Sequence, residues 1–327
     1  MRIKQTILIF FLTFLCLETW SDESFDYSSR DDVKEFIKEM SAKHGFDSTE
    51  LSNLLGSATY QEKVVRIMNR QPEGTMTWSK YKNMMVSESR ISAGKEFISL
   101  YRDDLKKAED LYGVPAEIIA SIIGIETRYG RITGNIRVLD SLMTLSFNYP
   151  RRSKFFKIQL EEFLLLSREE GLNPESLEGS IAGAMGYGQF MPDSYRKYAV
   201  DFDSDGVRDI LTNPIDAIGS VANFLSRKGK WKPNTPIAIK ADSVSDEKIF
   251  DSKFKPYMTL FELNEIGLEP KEKISGNLKF VPISLELEDG YEHWLGFDNY
   301  YSLSRYNRSK LYVMAVFELS QSLSIYL

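Results

Sequence analysis

The chain has 327 residues, of which 43% are hydrophobic and 27% charged, with 41 basic and 47 acidic side chains and a formal net charge of −6. This composition excludes a disordered or collagen-like chain, and the acidic excess argues against a nucleic-acid partner, which needs a basic face. One cysteine and two histidines, His44 and His293, exclude a disulfide framework and argue against a multi-histidine metal centre. Chemistry must therefore rest on carboxylates, hydroxyls or a lone histidine.

The first predicted element is an export signal at residues 1–21. Two basic residues precede an apolar run, Ile7–Leu17, which is shorter than the roughly 20 residues that span a bilayer and suits a signal-peptide core. We expect cleavage after Ser21 and a periplasmic protein, with an uncleaved membrane anchor as the alternative. Cys16 lies where a lipidated cysteine could sit, but Thr13-Phe14-Leu15 lacks the small residue expected before it. An outer-membrane lipoprotein with a membrane-associated N-terminus is therefore less favoured.

Four predicted segments follow the signal. Residues 22–107 carry apolar residues at helical spacing and predict an N-terminal helical domain. Residues 108–232 are glycine-rich and form the predicted catalytic core. Residues 233–295 contain several prolines and alternating apolar positions, which predict a small β-rich insert, and residues 296–327 return to a helical pattern. The fold class is thus mainly α (α+β).

The most informative segment is a predicted helix between Gly113 and Gly130 that carries a glutamate. Pro115 suits a first helical turn, Gly130 suits a helix stop, and four isoleucines between them form an apolar stripe. Glu126 takes the next position on that buried face. Burial disfavours the charged form of a carboxyl group and raises its pKa, so that it could donate a proton to a leaving oxygen. The alternative is a structural glutamate, capped by backbone amides or paired with Arg128 or Arg131.

Four segments resemble, in the same order, motifs of the lytic murein transglycosylase B family (glycoside hydrolase family 103). They are the catalytic helix end Glu126–Gly130, the paired-arginine segment Leu145–Arg152, the glycine-rich wall Gly179–Pro192 and the late cleft motif Ser304–Ser309. The resemblance runs from about residue 30 to the C-terminus. It implies a lysozyme-like helical core with an N-terminal helical domain and a β insert. It also implies peptidoglycan glycan strands as substrate and Glu126 as the single catalytic acid.

The chain offers no obvious partner carboxylate for Glu126. Glycosidases usually place two carboxylates about 5–10 Å apart, and Asp140, the nearest downstream acid, is a speculative second one. The resemblance implies that the substrate's acetamido group takes that role. The β-1,4 bond between N-acetylmuramic acid and N-acetylglucosamine would then be cleaved to leave 1,6-anhydro ends. The alternatives are a hydrolysing muramidase, a catalytically silent peptidoglycan-binding or scaffold protein, and a calcium-binding surface adhesin.

The resemblance also assigns substrate-binding positions. Glycines in the wall let backbone approach a sugar, tyrosines offer flat faces to sugar rings, and paired arginines can hold anionic groups. The arginines could equally be an exposed basic pair. Phe224 and Phe155 stand where relatives can carry tyrosine, so their missing hydroxyls are a departure. The predicted substrate-binding residues are Tyr81, Arg151, Arg152, Ser180, Met185, Tyr187, Gln189, Phe190, Tyr306, Asn307 and Tyr312.

A calcium site is predicted after the glycine-rich wall, where the chain matches the opening D-x-D-x-D-G of an EF-hand loop. A solvated acidic turn is the alternative, and Thr212 replaces the usual glutamate at position 12. The predicted ligands are Asp201, Asp203, Asp205, the carbonyl of Val207 and, from the resemblance, Asp216. Ca²⁺ would be structural. We expect a monomer that can associate with other cell-wall enzymes.

Overall fold

Helices make up most of the chain in a computed structural model that describes residues 26–70, 76–244, 253–274 and 276–327. The predicted signal peptide and Cys16 lie outside these residues. No described helix is both long enough and apolar enough to cross a membrane.

Six helices precede the catalytic segment. The first is amphipathic, burying Val33, Phe36 and Met40, and ends at Gly45 in the left-handed conformation (φ 68°). The Asp47 side chain caps the second by accepting backbone N–H groups. The six are α1 Asp31–His44, α2 Ser48–Gly56, α3 Glu62–Arg70, α4 Trp78–Met85, α5 Glu88–Leu100 and α6 Arg102–Tyr112.

The centre of the helical body is α7 (Ala116–Thr127), ten of whose twelve residues are buried. A helix that is apolar on all sides must be enclosed by others, and α7 packs against α5, α6 and two later helices, α11 and α14. The remaining helices are α8 Val138–Asn148, α9 Ser153–Glu169, α10 Pro192–Tyr198, α11 Pro214–Phe224, α12 Leu260–Glu265, α13 Asp298–Ser304 and α14 Lys310–Leu323.

Two antiparallel sheets interrupt the helices. A two-stranded ribbon joins β1 (Ile136–Arg137) to β2 (Glu178–Gly179) beside the glycine-rich wall. A four-stranded sheet with order β4-β3-β6-β5 covers one side of the helical body. The indole Nε1 of Trp78 donates to Glu292 on this sheet at 2.7 Å and ties it to α4. Its strands are β3 Ala238–Ser243, β4 Leu268–Pro270, β5 Val281–Glu286 and β6 Tyr291–Gly296.

The small sheet has a hydrophobic cluster of its own, which includes Leu263, Phe280 and Leu295. The other buried apolar residues form one large cluster that runs through the helices. The predicted mainly α (α+β) class is therefore confirmed. The sheet lies between residues 238 and 296, and the predicted domain boundaries remain a prediction.

Candidate active site

Glu126 lies in the last turn of α7 and is partly exposed, whereas Ile122, Ile123 and Ile125 beside it are buried. The helix ends abruptly because the next three residues, 128–130, have positive φ angles of 51°, 60° and 84°. Only glycine adopts that region without strain. A carboxylate is thus presented in the last turn of a helix whose other charged residue, Glu117, lies in the first turn.

Thr127 anchors this helix end to the glycine-rich wall. Its buried hydroxyl lies 2.9 Å from the carbonyl of Tyr187 and 3.1 Å from that of Ile123, and it accepts the N–H of Gly130 at 2.9 Å. A Cβ added at Gly130 would come within 2.1 Å of the Tyr187 ring. The residue after Glu126 therefore sets the distance between the carboxylate's helix and the wall.

Tyr129 fills a gap between two helices. A Cβ at Gly94 on α5 would lie 2.3 Å from the Tyr129 hydroxyl, and a Cβ at Gly124 on α7 would lie 2.4 Å from its ring. Burial raises the pKa of the Tyr129 phenol. The tyrosine of the Glu-Thr-X-Tyr-Gly motif is therefore a packing residue, and the two glycines leave room for it.

Two predicted cleft tyrosines lie beside Glu126. The rings of Tyr306 and Tyr312 stack 6.4 Å apart with an interplanar angle of 11°. Burial, followed by the negative charge of Glu126, raises the pKa of both phenols. The Tyr306 hydroxyl donates to the carbonyl of Gly188 at 2.5 Å, and Tyr81 is near enough to Tyr312 to add to the shift. The structure therefore places Tyr306 and Tyr312 near the carboxylate and Tyr81 near Tyr312.

The Tyr312 hydroxyl lacks a partner of good hydrogen-bond geometry among the described residues. A buried hydroxyl without such a partner costs free energy. The Glu126 carboxylate nevertheless acts on it as a hydrogen-bonding neighbour in raising its pKa.

The glycine-rich wall is a tight backbone hairpin. Met185 and Phe190 exchange N–H···O bonds of 2.9 and 3.0 Å, and both side chains point into the core, with 0% and 2% exposure. The Gln189 amide donates to the carbonyls of Thr133 and Gly186 at 2.9 and 3.0 Å. These three predicted substrate contacts therefore also shape the loop.

Two other predicted wall residues are less enclosed. The Ser180 hydroxyl accepts the N–H groups of Ala182 and Ala184 at 3.3 and 3.1 Å, so it holds the turn while remaining half-buried. Tyr187 is half-buried as well, and its N–H donates to the Ile210 carbonyl at 3.0 Å.

Phe224 packs where a tyrosine hydroxyl could have been. Its ring centroid lies 4.7 Å from that of Tyr306 and 5.5 Å from that of Phe190. The ammonium of Lys228 lies 4.8 Å from the Phe224 ring centroid, and burial lowers its pKa. Lys228 is not among the site residues predicted from the sequence. Its position four residues after Phe224 in a helical segment could have indicated that the two side chains are neighbours.

The paired arginines lie in an exposed 3-10 turn, Pro150–Arg152. The guanidinium of Arg152 stacks over Phe155 at 4.3 Å, which gives this phenylalanine a role that needs no hydroxyl. Arg151 is exposed. Asn307 is partly exposed next to Tyr306, and its carbonyl accepts the N–H of Ser309 at 2.9 Å.

Asp140, the speculative second acid, is held in a separate cluster. It pairs with Arg137 at 2.6 Å and accepts the N–H of Thr59 at 2.8 Å. Arg131, which could have neutralised Glu126, instead pairs with Glu96 at 3.3 Å. The observed partners of Asp140 and Arg131 are therefore structural.

The aspartate loop gathers three carboxylates. One oxygen from each of Asp201, Asp203 and Asp205 lies within 4.8 Å of the others, which suits a cation with ligands at about 2.3–2.6 Å. Gly206 has a φ of 94° and donates its N–H to Asp201 at 2.9 Å. Val207 is exposed beside them.

The predicted ligand Asp216 lies apart from this group. It is fully buried, and its two oxygens accept the N–H groups of Phe202 and Asp209, each at 2.7 Å. Both oxygens thus already hold the ends of the loop together. Asp209 in turn accepts the N–H groups of Leu211 and Thr212 at 2.8 and 2.9 Å.

Comparison with known proteins identifies the family. Residues 28–321 match the family described as Transglycosylase SLT domain. The chain belongs to this family. It is 40% identical over 309 residues to the membrane-bound lytic murein transglycosylase B of Escherichia coli (strain K12), and this covers 92% of the chain and 84% of that protein.

Solved structures of this family show the same fold. The catenated lytic transglycosylase SltB1 from Pseudomonas aeruginosa has a TM-score of 0.86 at 41% identity, covering 92% of this chain and 99% of that one. The Escherichia coli lytic transglycosylase SLT35 in complex with calcium has a TM-score of 0.84 at 40% identity, covering 91% and 94%. The predicted family and the lysozyme-like helical core are therefore confirmed.

Proposed function

We propose that this chain is a peptidoglycan lytic transglycosylase in which Glu126 is the single general acid and base. The observation that carries the proposal is the position of Glu126, in the last turn of a largely apolar helix and beside Tyr306 and Tyr312. Its membership of a transglycosylase family supports the reaction class. The engagement of Asp140 with Arg137 supports a mechanism with one catalytic carboxylate.

The proposed reaction breaks the β-1,4 bond between N-acetylmuramic acid and N-acetylglucosamine. Protonated Glu126 gives its proton to the leaving O4 as the bond from C1 breaks. The acetamido oxygen of the same muramic acid attacks C1, which replaces the second carboxylate of most glycosidases. Glu126, now a carboxylate, removes the proton from the C6 hydroxyl. O6 then bonds to C1 and displaces the acetamido oxygen, which leaves a 1,6-anhydro end without consuming water.

The cleft around Glu126 is proposed to hold the glycan. We propose that Tyr306 and Tyr312, with Tyr81 near Tyr312, line the cleft next to the carboxylate and limit its contact with water, which strengthens electrostatic effects at the reacting atoms. Partly exposed polar and aromatic groups, Ser180, Tyr187, Gln189 and Asn307, are available to the sugar. We assign Met185 and Phe190 the role of supporting the wall from the core, and Arg151 and Arg152 the binding of anionic groups.

The test uses muropeptides released from purified sacculi by wild type and by Glu126→Gln. We expect wild type to release 1,6-anhydro products and the variant to release at least about 1000-fold less, since its only acid is gone. Glu96→Gln is the matched control, because it removes an exposed glutamate that pairs with Arg131. Reducing ends, heavier by one water, would establish a hydrolysing muramidase. Sacculus binding without any release would establish a silent binding protein.

We propose a structural Ca²⁺ in the aspartate loop. Three carboxylates within 4.8 Å of one another, hard oxygen donors and the sharp turn at Gly206 fit this cation. The ligands would be Asp201, Asp203, Asp205 and the Val207 carbonyl, with Asp216 holding the loop ends. A solved relative contains calcium. Titration of Ca²⁺ into chelator-treated protein should give heat and raise the melting temperature. If neither effect is observed, the loop is a solvated acidic turn.

We propose a periplasmic location through export by residues 1–21, with lipidation at Cys16 as the less favoured route. Mass measurement of the mature protein from cells distinguishes the two, since cleavage after Ser21 removes the cysteine and lipidation retains it with added acyl mass. A monomer is the expected state. Association with other cell-wall enzymes can be tested by pull-down from cells.

A further inference from the structure

A second concave site lies at the end of α13. It is a cavity of about 380 Å³ between the segment Lys253–Tyr257 and the residues around Arg305. That volume is within the range of about 300–1,000 Å³ typical of small-ligand sites. We call it the basic cavity, and its lining residues are Lys253, Phe254, Lys255, Pro256, Tyr257, Tyr301, Ser304, Arg305 and Arg308.

The charges of its described lining residues are all of one sign. Four of the nine described lining residues are cationic and exposed, and none of the nine is a carboxylate. No described carboxylate forms an ion pair with Lys253, Lys255, Arg305 or Arg308. By contrast, Arg137, Arg196 and Arg208 on the helical body each have one. In a chain with a net charge of −6, this is a local positive field that favours an anion.

Aromatic rings hold the cations in place. The Lys253 ammonium lies 4.0 Å from the Tyr257 ring centroid, and the Arg308 guanidinium lies 5.6 Å from that of Phe254. The Phe254 ring stacks on Tyr300, which is buried, at 6.0 Å and 16°. Cation–π contacts of this kind orient a charged group without neutralising it. The cavity therefore offers positioned cations beside apolar faces.

The basic cavity borders the wall of the catalytic cleft. Arg305 directly precedes Tyr306, whose hydroxyl bonds Gly188. Burial is the main cause that lowers the pKa of Lys228, and the charge of Asp193 opposes it; Arg305 is near enough to add to the lowering. Lys228 lies over Phe224, and Phe224 contacts Tyr306 at 4.7 Å. Cationic groups thus continue from the cleft wall to the cavity.

We propose that the basic cavity binds the carboxylates of the peptide stem that a muramic acid carries near the cleavage site. This inference rests on the proposed function and names the part of the substrate that a second subsite binds. The stem bears free carboxylates and small aliphatic groups, which match cations interleaved with aromatic faces. The sugar rings themselves are uncharged, so they would gain nothing from four cations that no described carboxylate neutralises.

The test compares two forms of one substrate. Uncrosslinked glycan chains with stems, and the same chains stripped of stems by an amidase, are digested by wild type and by Lys253→Gln/Arg308→Gln. We expect the ratio of kcat/KM for stem-bearing over stripped chains to fall about five- to tenfold in the variant, mainly through KM. At high salt the difference between wild type and variant should become smaller. Lys38→Gln/Lys106→Gln, two exposed cations on α1 and α6, is the control of equal charge change.

Binding is measured separately in the Glu126→Gln background. End-labelled stem-bearing chains should bind about five- to tenfold more weakly when Lys253 and Arg308 are replaced, and the free stem tripeptide should compete. An unchanged ratio, or an equal loss on both chains, would overturn the stem subsite. Equal competition by inorganic phosphate would also overturn it and indicate a general anion site. If wild type releases no anhydro products, the proposed function fails, while the binding measurement still decides the subsite.

Discussion

Thr127→Val should loosen the catalytic helix end without changing the shape of the side chain. The variant loses the hydroxyl that bridges Tyr187 and Gly130 at 2.9 Å each. Both partners would then be left unsatisfied next to a fully buried position. Each unsatisfied buried group costs about 1–3 kcal/mol. The loss is smaller than the sum of two such costs, because the Thr127 hydroxyl shares its one proton between the carbonyls of Tyr187 and Ile123. We expect the free energy of unfolding to fall by about 2–4 kcal/mol.

The assay combines urea denaturation with the rate of anhydro-muropeptide release. Because Glu126 precedes Thr127, a displaced helix end should lower kcat at least about tenfold, since catalysis depends on placement to within about 1 Å. Thr127→Ser keeps the hydroxyl and removes one methyl group, so it should lose only about 1 kcal/mol and most of its activity should remain. Equal stability and equal kcat for the two variants would refute the reasoning.

Three further predictions concern the wall, the loop and pH. Tyr306→Phe leaves the buried Gly188 carbonyl unpaired, so we expect about 1–2 kcal/mol lower stability and slower sacculus clearing; wild-type values for both would contradict this. Asp203→Asn should weaken calcium binding at least about tenfold in titration calorimetry, and an unchanged affinity would remove this aspartate from the site. Burial raises the pKa of Tyr27 from 10.0 to about 12, so its contribution to stability is complete below pH 10 and is lost as the pH rises from 10 towards 12. Denaturation across that window should show the fall, and Tyr27→Phe should reduce it; equal slopes for the two proteins would argue against this source.

Several site features could be read from the chain because they depend on local order. The isoleucine stripe and the glycine at 130 predicted a buried helix that carries Glu126 and stops at Gly130, and α7 ends three residues earlier, at Thr127. The alternating aspartates with Gly206 predicted a loop whose carboxylates converge, since one turn of backbone brings them together. Short spacing of this kind fixes geometry before any long-range packing is known.

Other features depend on contacts between distant segments. Met185 and Phe190 belong to the same glycine-rich motif as Gln189, but only the fold determines that their side chains point into the core. Asp216 follows the aspartate loop in sequence, but the burial of α11 directs its oxygens to backbone N–H groups. Sequence spacing alone could not distinguish Met185 and Phe190 from residues that line the cleft, or Asp216 from the clustered aspartates.

The sequence by itself limited the chemistry to carboxylates, hydroxyls or a lone histidine, put Glu126 next on the apolar face of a helix, and indicated which family the chain resembles. Only the tertiary structure placed Tyr306 and Tyr312 near Glu126 and assembled the basic cavity from segments about 50 residues apart. The physical reason is that a helix end is set by local backbone preferences, whereas a cleft or cavity forms only where the packing of a shared core brings distant surfaces together.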